Sequence, residues 1–168
     1  MQRYTMTMLA GVLGASLMMA GCQDQQGSSE GPVGDGWLTG EADHAARFDR
    51  LESYLGGFSS AMWETGYRYQ NVYDAIASEN PQLADYHWQK IRGAIENGYM
   101  KRPGRQANAD AMFLDNAWGE LAGVLETGDQ AAMEGAFLAA REACMACHVA
   151  EDVPFINDMP LLRETSSF

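Results

Sequence analysis

From about Glu41 onward the apolar residues recur at intervals of three and four, and no segment keeps a period of two. This spacing places apolar side chains on one face of an α-helix, whereas a half-buried strand would alternate. The first stretch predicts one helix from about Glu41 to Ser78, or two helices divided at Gly56-Gly57. Its apolar face comprises Phe48, Leu51, Leu55, Phe58, Met62, Tyr69, Tyr73 and Ile76, with Gly66 filling one gap.

Three further amphipathic helices follow, separated by residues that begin or end helices. Their boundaries are predicted at Asn80-Pro81, at Asn97-Gly98, at about Asn108, at Gly128 and at Asp129. Asn and Asp cap helix N-termini, Pro suits the first helical position and Gly often follows the last. Residues 100–106 are expected to be a loop, and residues from Pro154 onward a tail. Four helices joined by mostly short loops predict an all-α fold, an antiparallel four-helix bundle.

The N-terminus has the pattern of a secretory signal. One basic residue, Arg3, precedes an apolar run that is short for a membrane span and ends in small residues before Cys22. The segment Met19-Ala20-Gly21-Cys22 resembles the lipobox of bacterial lipoproteins, in which the cysteine carries the lipid. We therefore expect a signal peptide at residues 1–21, a flexible Gly- and Ser-rich tether at 22–40 and one domain at 41–168.

Charge excludes one class of partner. The chain has a formal net charge of −12, which becomes −13 when residues 1–21 are removed with their single arginine. Nucleic-acid binding needs clustered Lys and Arg, so no nucleic acid is expected as a partner. An acidic domain favours partner proteins with a basic docking surface.

A Cys-x-x-Cys-His motif near the C-terminus carries the chemistry. Cys144, Cys147 and His148 stand at helical positions i, i+3 and i+4, so their side chains leave one face of the fourth helix. A thioredoxin-like redox pair would need a preceding strand, and a zinc site would need a fourth ligand that no second cluster supplies. A third interpretation is covalent attachment of c-type haem, in which the two thiols would add to the vinyl groups of the porphyrin and His148 could ligate the iron. A structural lipoprotein in which the motif is coincidental is a further alternative.

The motif lies on the last of four helices, and only 20 residues follow His148. This order resembles the cytochrome c′ and cytochrome c-556 group, the four-helix-bundle class of c-type cytochromes, over about residues 41 to 152. The resemblance implies a C-terminal haem-attachment helix and a monohaem carrier of single electrons. It also implies that Cys144 and Cys147 form the thioethers of one haem c and that His148 is the proximal iron ligand. Members of this group often dimerise through the first two helices, so the resemblance is compatible with both a monomer and a homodimer.

The resemblance also implies that a residue on the first helix faces the open side of the iron. Met62 is the candidate for this distal ligand, with Gly66 one turn on leaving room for a flat ring. A methionine there would give an electron carrier, whereas no protein ligand would give a five-coordinate, gas-binding haem, the alternative function. The other candidates are Met100, Met112, Met159 and His87, while His44 is expected at the surface.

The remaining expectations concern location and surface. Export and lipidation of Cys22 predict a periplasm-facing protein anchored to a bacterial membrane, with Gln23 slightly favouring the outer membrane. The sequence shows neither a pair of carboxylates nor a nucleophile with a base that would indicate an enzyme. Lys101, Arg102 and Arg105 form the one basic cluster of the mature chain, either a solvated loop or a site for the haem propionates.

Overall fold

The computed structural model describes residues 34–168, and within this range every regular element is helical. The expected all-α class is therefore confirmed. The predicted signal peptide, its lipidation site Cys22 and most of the tether lie outside the described residues. The α-helices of residues 34–168 are α1 (His44–Leu55), α2 (Phe58–Ala77), α3 (Pro81–Lys101), α4 (Gln106–Ala109), α5 (Ala117–Thr127), α6 (Gln130–Ala150) and α7 (Pro160–Glu164). Shorter elements are 3₁₀ turns at Pro103–Arg105 and Pro154–Asp158 and a π-helical turn at Asp110–Leu114.

The first predicted helix is two helices, divided at Gly56-Gly57. Gly56 has a φ of +68°, and a Cβ atom on it would lie 2.2 Å from the hydroxyl oxygen of Ser60. Only glycine fits such a position without strain, so the chain leaves the helical path after Leu55. The prediction of a continuous helix to Ser78 was wrong, and its two-helix alternative is confirmed.

Three of the predicted helix boundaries are confirmed by their capping geometry. The side chain of Asn80 accepts a hydrogen bond from the backbone N–H of Leu83 at 3.1 Å, with Pro81 at the first helical position. Asp129 accepts likewise from Ala132 at 3.0 Å. Gly128, with a φ of +69°, follows the last residue of α5. Local chemistry decides these ends, which is why the sequence predicts them.

Gly98 does not end the second predicted helix, because α3 continues to Lys101. A Cβ atom on Gly98 would lie 2.7 Å from the Cβ of Ala61 and 2.9 Å from the ring of Phe58. The glycine therefore permits α2 and α3 to approach closely. Its role is packing between helices and not helix termination.

The third predicted helix is interrupted, although the sequence predicts one helix from Asn108 to Glu126. The chain passes from α4 through the π-helical turn and resumes as α5 after Asn116. Arg92 on α3 donates a hydrogen bond to the carbonyl of Leu114 at 3.0 Å. A partner on another helix thus satisfies a carbonyl at the end of the widened turn.

The core lies among α2, α3, α5 and α6. Helix α2 packs against α3 along most of its length, α3 packs against α5, and α5 packs against α6, whereas α2 and α6 meet at few positions. Two tryptophans join α3 to α5 reciprocally: the indole N–H of Trp88 donates to the carbonyl of Trp118 at 2.8 Å, and Trp118 donates to the carbonyl of Trp88 at 3.2 Å. The largest fully buried side chains include Trp88, Phe137, Ile76, Ile91, Leu121 and Met133.

The C-terminal segment, predicted to be a tail, packs onto the helices. Leu162 and Thr165 are buried, and the hydroxyl of Thr165 hydrogen-bonds the hydroxyl of Tyr69 on α2 at 3.0 Å. Arg141 on α6 donates to the carbonyl of Leu162 at 2.7 Å. The segment therefore contacts both α2 and α6.

Part of the predicted tether is also packed. Residues 34–40 form turns, and the carbonyl of Trp37 accepts a hydrogen bond from Arg50 of α1 at 3.0 Å. The ring centroids of Trp37 and Tyr54 lie 5.7 Å apart. Helix α1 itself buries no residue.

Among residues 34–168, no helix has both the length and the apolar character needed to cross a membrane.

Candidate functional site

The C-terminal half of α6 brings together the three residues of the Cys-x-x-Cys-His motif. Cys144 and Cys147 are free thiols, and they and His148 are half-buried. Cys144 packs against the core cluster, so burial raises the pKa of its thiol to about 12, with a further contribution from Cys147. Both sulfurs and the imidazole thus leave α6 on one helical face.

Arg105 lies beside the motif, although it belongs to the turn after α3. Burial raises the pKa of the Cys147 thiol, and the Arg105 guanidinium acts in the opposite direction. The same side chain forms an ion pair with the carboxylate of Glu151 and donates to the Glu151 carbonyl at 3.2 Å. Asn108 donates to the other carboxylate oxygen of Glu151 at 2.6 Å. These contacts fix the end of α6 against the chain that follows α3.

The rest of the predicted basic cluster points elsewhere. Lys101 donates to the carbonyl of Leu55 at 3.3 Å, and Arg102 donates to the carbonyl of Lys101 at 2.8 Å. Of the three residues, Arg105 is therefore the one that contacts the end of the motif helix. The pairing of these cations with haem propionates stays a prediction.

His148 is oriented by Asn157 in the 3₁₀ turn after α6. The Nδ1 atom of His148 lies 2.8 Å from the amide oxygen of Asn157, and the amide nitrogen of Asn157 donates to the carbonyl of Met145 at 3.1 Å. Because the amide nitrogen is used on the carbonyl, the amide oxygen faces the ring and acts as the acceptor. Nδ1 therefore carries a proton, and in the neutral imidazole Nε2 keeps a lone pair. This tautomer suits a histidine that binds a metal through Nε2.

His87, the other histidine considered as an iron ligand, has the opposite arrangement. Its side chain is 7% exposed and packs edge-on against the rings of Tyr67 and Tyr86. The guanidinium of Arg68 lies 3.3 Å from its Nδ1. Since arginine only donates, Nδ1 accepts and Nε2 carries the proton. His87 is a buried, hydrogen-bonded residue of α3, and His44 is exposed at the start of α1.

Met62 is half-buried on α2 and packs against the core cluster. The register of α2 on α6 indicates its level. Gln130 donates to the carbonyl of Ile76 at 3.0 Å, and seven residues further on Phe137 stacks on Tyr69 with ring centroids 4.6 Å apart. The helices are antiparallel, so a further step of seven residues along each brings Met62 to the level of Cys144.

The other candidate methionines differ in exposure. Met100 is 72% exposed, Met159 is 49% exposed, and Met112 is half-buried in the π-helical turn. The space beside Gly66 is taken by the side chain of Leu161, whose Cδ2 lies 3.3 Å from the position of a Cβ on that glycine. The predicted role of Gly66 in making room for a ring stays a prediction.

Sequence reasoning missed Asn157 and Glu151 as members of this site. Both follow the motif in chain order, and neither belongs to a recognisable pattern. Pro154 signals a turn after α6, but nothing in the sequence indicates that this turn folds back on the histidine. The packing of the 3₁₀ turn against α6 reveals the contact of Asn157, and the packing of the chain after α3 reveals the contacts of Glu151.

Within residues 34–168 no group of three or more His, Cys, Asp or Glu side chains is arranged to hold a metal ion by itself. Neither a protein-family model, nor a curated protein, nor a solved structure matches this chain. The function is therefore inferred from the residues and their geometry.

Proposed function

We propose that this protein is a monohaem c-type cytochrome that carries single electrons, with one haem c attached to Cys144 and Cys147 and ligated by His148. The hydrogen bond from Nδ1 of His148 to Asn157 carries the proposal, because in the neutral imidazole it leaves the lone pair on Nε2, on the helix that also carries two free thiols. A bound haem supplies one-electron chemistry through its iron. The donor set of this chain fits such a group.

The thiols suit covalent attachment. In each linkage the sulfur of one cysteine would bond to a vinyl carbon, and the thiol proton would go to the neighbouring carbon. Cys144 and Cys147 stand one helical turn apart, which matches attachment of two groups on one ring. The raised pKa of Cys144 keeps that thiol protonated until attachment.

The finer architecture belongs to the same proposal. We assign α2, α3, α5 and α6 to an antiparallel four-helix bundle in which α6 is the haem-attachment helix. The antiparallel register of α2 and α6 and the packing of α3 between α2 and α5 support this assignment. This architecture and the C-terminal motif agree with the cytochrome c′ and cytochrome c-556 group.

Met62 is the proposed distal ligand. Met62 lies at the height of Cys144 along the bundle. His148 is one helical turn further along α6, about 6 Å away along the helix axis. A thioether ligand completes a six-coordinate iron and favours the ferrous state, which suits an electron carrier. If Met62 does not bind, the iron stays open and the protein binds nitric oxide or carbon monoxide.

Location and partners follow from the sequence. We propose export, lipidation of Cys22 and anchoring on the periplasmic side of a bacterial membrane. The anchored domain would meet redox partners at a raised effective concentration. The net charge of −13 after removal of residues 1–21 favours partners with a basic docking surface.

Visible spectra of the mature protein, oxidised and reduced, test the ligand set. A low-spin spectrum that carbon monoxide leaves unchanged is expected for the wild type. Met62→Ala should give a high-spin, carbon monoxide-sensitive spectrum, whereas the control Met112→Ala should behave as the wild type. A wild-type spectrum that shifts strongly with carbon monoxide would contradict electron transfer and favour gas binding.

A further inference from the structure

The C-terminal segment reaches the histidine of the motif from outside the motif. After α6 the chain reverses at Asp152, which has a φ of 60°, and the backbone N–H of Val153 donates to the carbonyl of His148 at 2.9 Å. The following 3₁₀ turn, Pro154–Asp158, packs on α6 and presents Asn157 to the imidazole. A residue nine positions after His148 thus defines the orientation of its ring.

Asn157 is itself fixed at both ends. Its amide nitrogen donates to the carbonyl of Met145, one turn before His148 on α6. Beyond the turn, the carbonyl of Leu162 accepts from Arg141, and the hydroxyl of Thr165 is buried against Tyr69. A side chain held from both directions loses little further conformational entropy in making its hydrogen bond, so the contact with His148 is preorganised.

The nature of the acceptor matters as well as its position. When a histidine binds a metal through one nitrogen, a hydrogen bond from its other ring nitrogen fixes the tautomer and the ring orientation. The same hydrogen bond raises the basicity of the histidine as a ligand. A carboxylate acceptor makes a stronger, charge-assisted hydrogen bond than a neutral amide. An amide at position 157 therefore orients the ring while transferring less electron density to the metal than an Asp would.

We propose that Asn157 is a positioning residue for the axial histidine, and that its neutral amide keeps the reduction potential of the haem iron higher than a carboxylate there would. This inference rests on the proposed function. It predicts that Asn157→Asp lowers the potential while keeping the ring orientation. Asn157→Leu should release the ring, because no acceptor remains for the Nδ1 proton.

The test measures two properties of the mature, haem-loaded protein: its reduction potential and the hydrogen exchange of the His148 Nδ1 proton by NMR. Asn157→Leu should exchange this proton about tenfold faster, the loss of one hydrogen bond. Asn157→Asp should retain the slow exchange and shift the potential downward. Asp158→Asn, an exposed neighbour, controls for charge alone and should leave the exchange rate unchanged.

Equal exchange rates in the wild type and Asn157→Leu would overturn the proposal, as would an unchanged potential in Asn157→Asp. A haem stain of the denatured wild type separates these results from failure of the proposed function. If the stain is negative, nitrogen-15 NMR of the haem-free chain still tests the positioning. The Nδ1-protonated tautomer of His148 would support it, and the Nε2-protonated tautomer would overturn it.

Discussion

The two halves of α6 have the same helical geometry and very different surroundings. In the N-terminal half Met133, Phe137 and Ala140 are buried to 1% exposure or less and contact the other long helices. In the C-terminal half the motif residues are only half-buried, and Val149 is 57% exposed. The neighbours there include short elements, the turn with Arg105 and the turn with Asn157. One half stabilises the fold, and the other presents reactive groups.

The difference between the two halves indicates which residues of α6 are candidates for chemistry. Apolar burial explains Met133, Phe137 and Ala140 in the first half, so none of the three needs a further function. In the second half two thiols and an imidazole occupy positions on the same helical face, where apolar residues would stabilise the fold more. Residues that a fold does not need for stability are candidates for chemistry.

The largest expected effect concerns the buried half. Phe137→Ala should lower the free energy of unfolding by about 3–5 kcal/mol, because it removes a fully buried ring that stacks on Tyr69. The matched substitution in the other half, Val149→Ala, should change it by less than about 0.5 kcal/mol. Chemical denaturation of both variants measures the difference. Equal losses would show that the two halves do not differ as described.

The two histidines extend the comparison from helix halves to single side chains. His87 accepts a hydrogen bond on Nδ1 from a cation, and His148 donates from Nδ1 to a neutral amide. The residue type is the same, and the hydrogen-bond partner at Nδ1 decides which nitrogen of the neutral ring carries the proton.

Acid should destabilise the protein through His87. Burial and the Arg68 guanidinium lower the pKa of His87 from its ordinary value of 6.5. A lowered pKa contributes stability that is present above pH 6.5 and is lost as the pH falls through the folded-state pKa. Thermal unfolding between pH 8 and pH 4 should therefore show a smaller loss for His87→Gln than for the wild type. Parallel curves for the two proteins would refute this assignment.

A smaller effect is expected at the boundary between the motif and its neighbours. Arg105→Gln removes the ion pair with Glu151 and should cost about 1 kcal/mol or less, because the Arg105 side chain is partly exposed. It should also raise the pKa of Cys147 and slow its alkylation in the haem-free chain. Arg102→Gln serves as the control. It removes the same charge from a side chain that hydrogen-bonds the carbonyl of Lys101. Faster alkylation in Arg105→Gln would contradict the account.

The sequence predicts those parts of the molecule that local chemistry decides. Asn80, Gly128 and Asp129 define helix ends through their own side chains or backbone freedom, and the structure confirms all three. Gly98 was misjudged because glycine permits both helix ends and close packing, and only the position of Ala61 distinguishes the two. At the interruption before α5, the carbonyl of Leu114 is satisfied by Arg92, which is distant in sequence.

The same division applies to the site. The sequence predicts Cys144, Cys147 and His148 because the three residues form one short motif with a recognisable spacing. Asn157 could not be predicted, since its role depends on a chain reversal and on packing between α2, α6 and the C-terminal segment. The level of Met62 opposite Cys144 likewise becomes visible only through the contacts of Phe137 and Gln130.

The most direct test of the central claim is the visible absorption of the mature protein after denaturation and extraction of unbound haem. The account predicts that the wild type retains one haem per chain. The double variant Cys144→Ala/Cys147→Ala should retain none, whereas Ala146→Ser, an exposed substitution within the same motif, should retain the full amount. A wild-type protein that loses all haem on extraction, or a double variant that keeps it, would contradict covalent attachment at this motif.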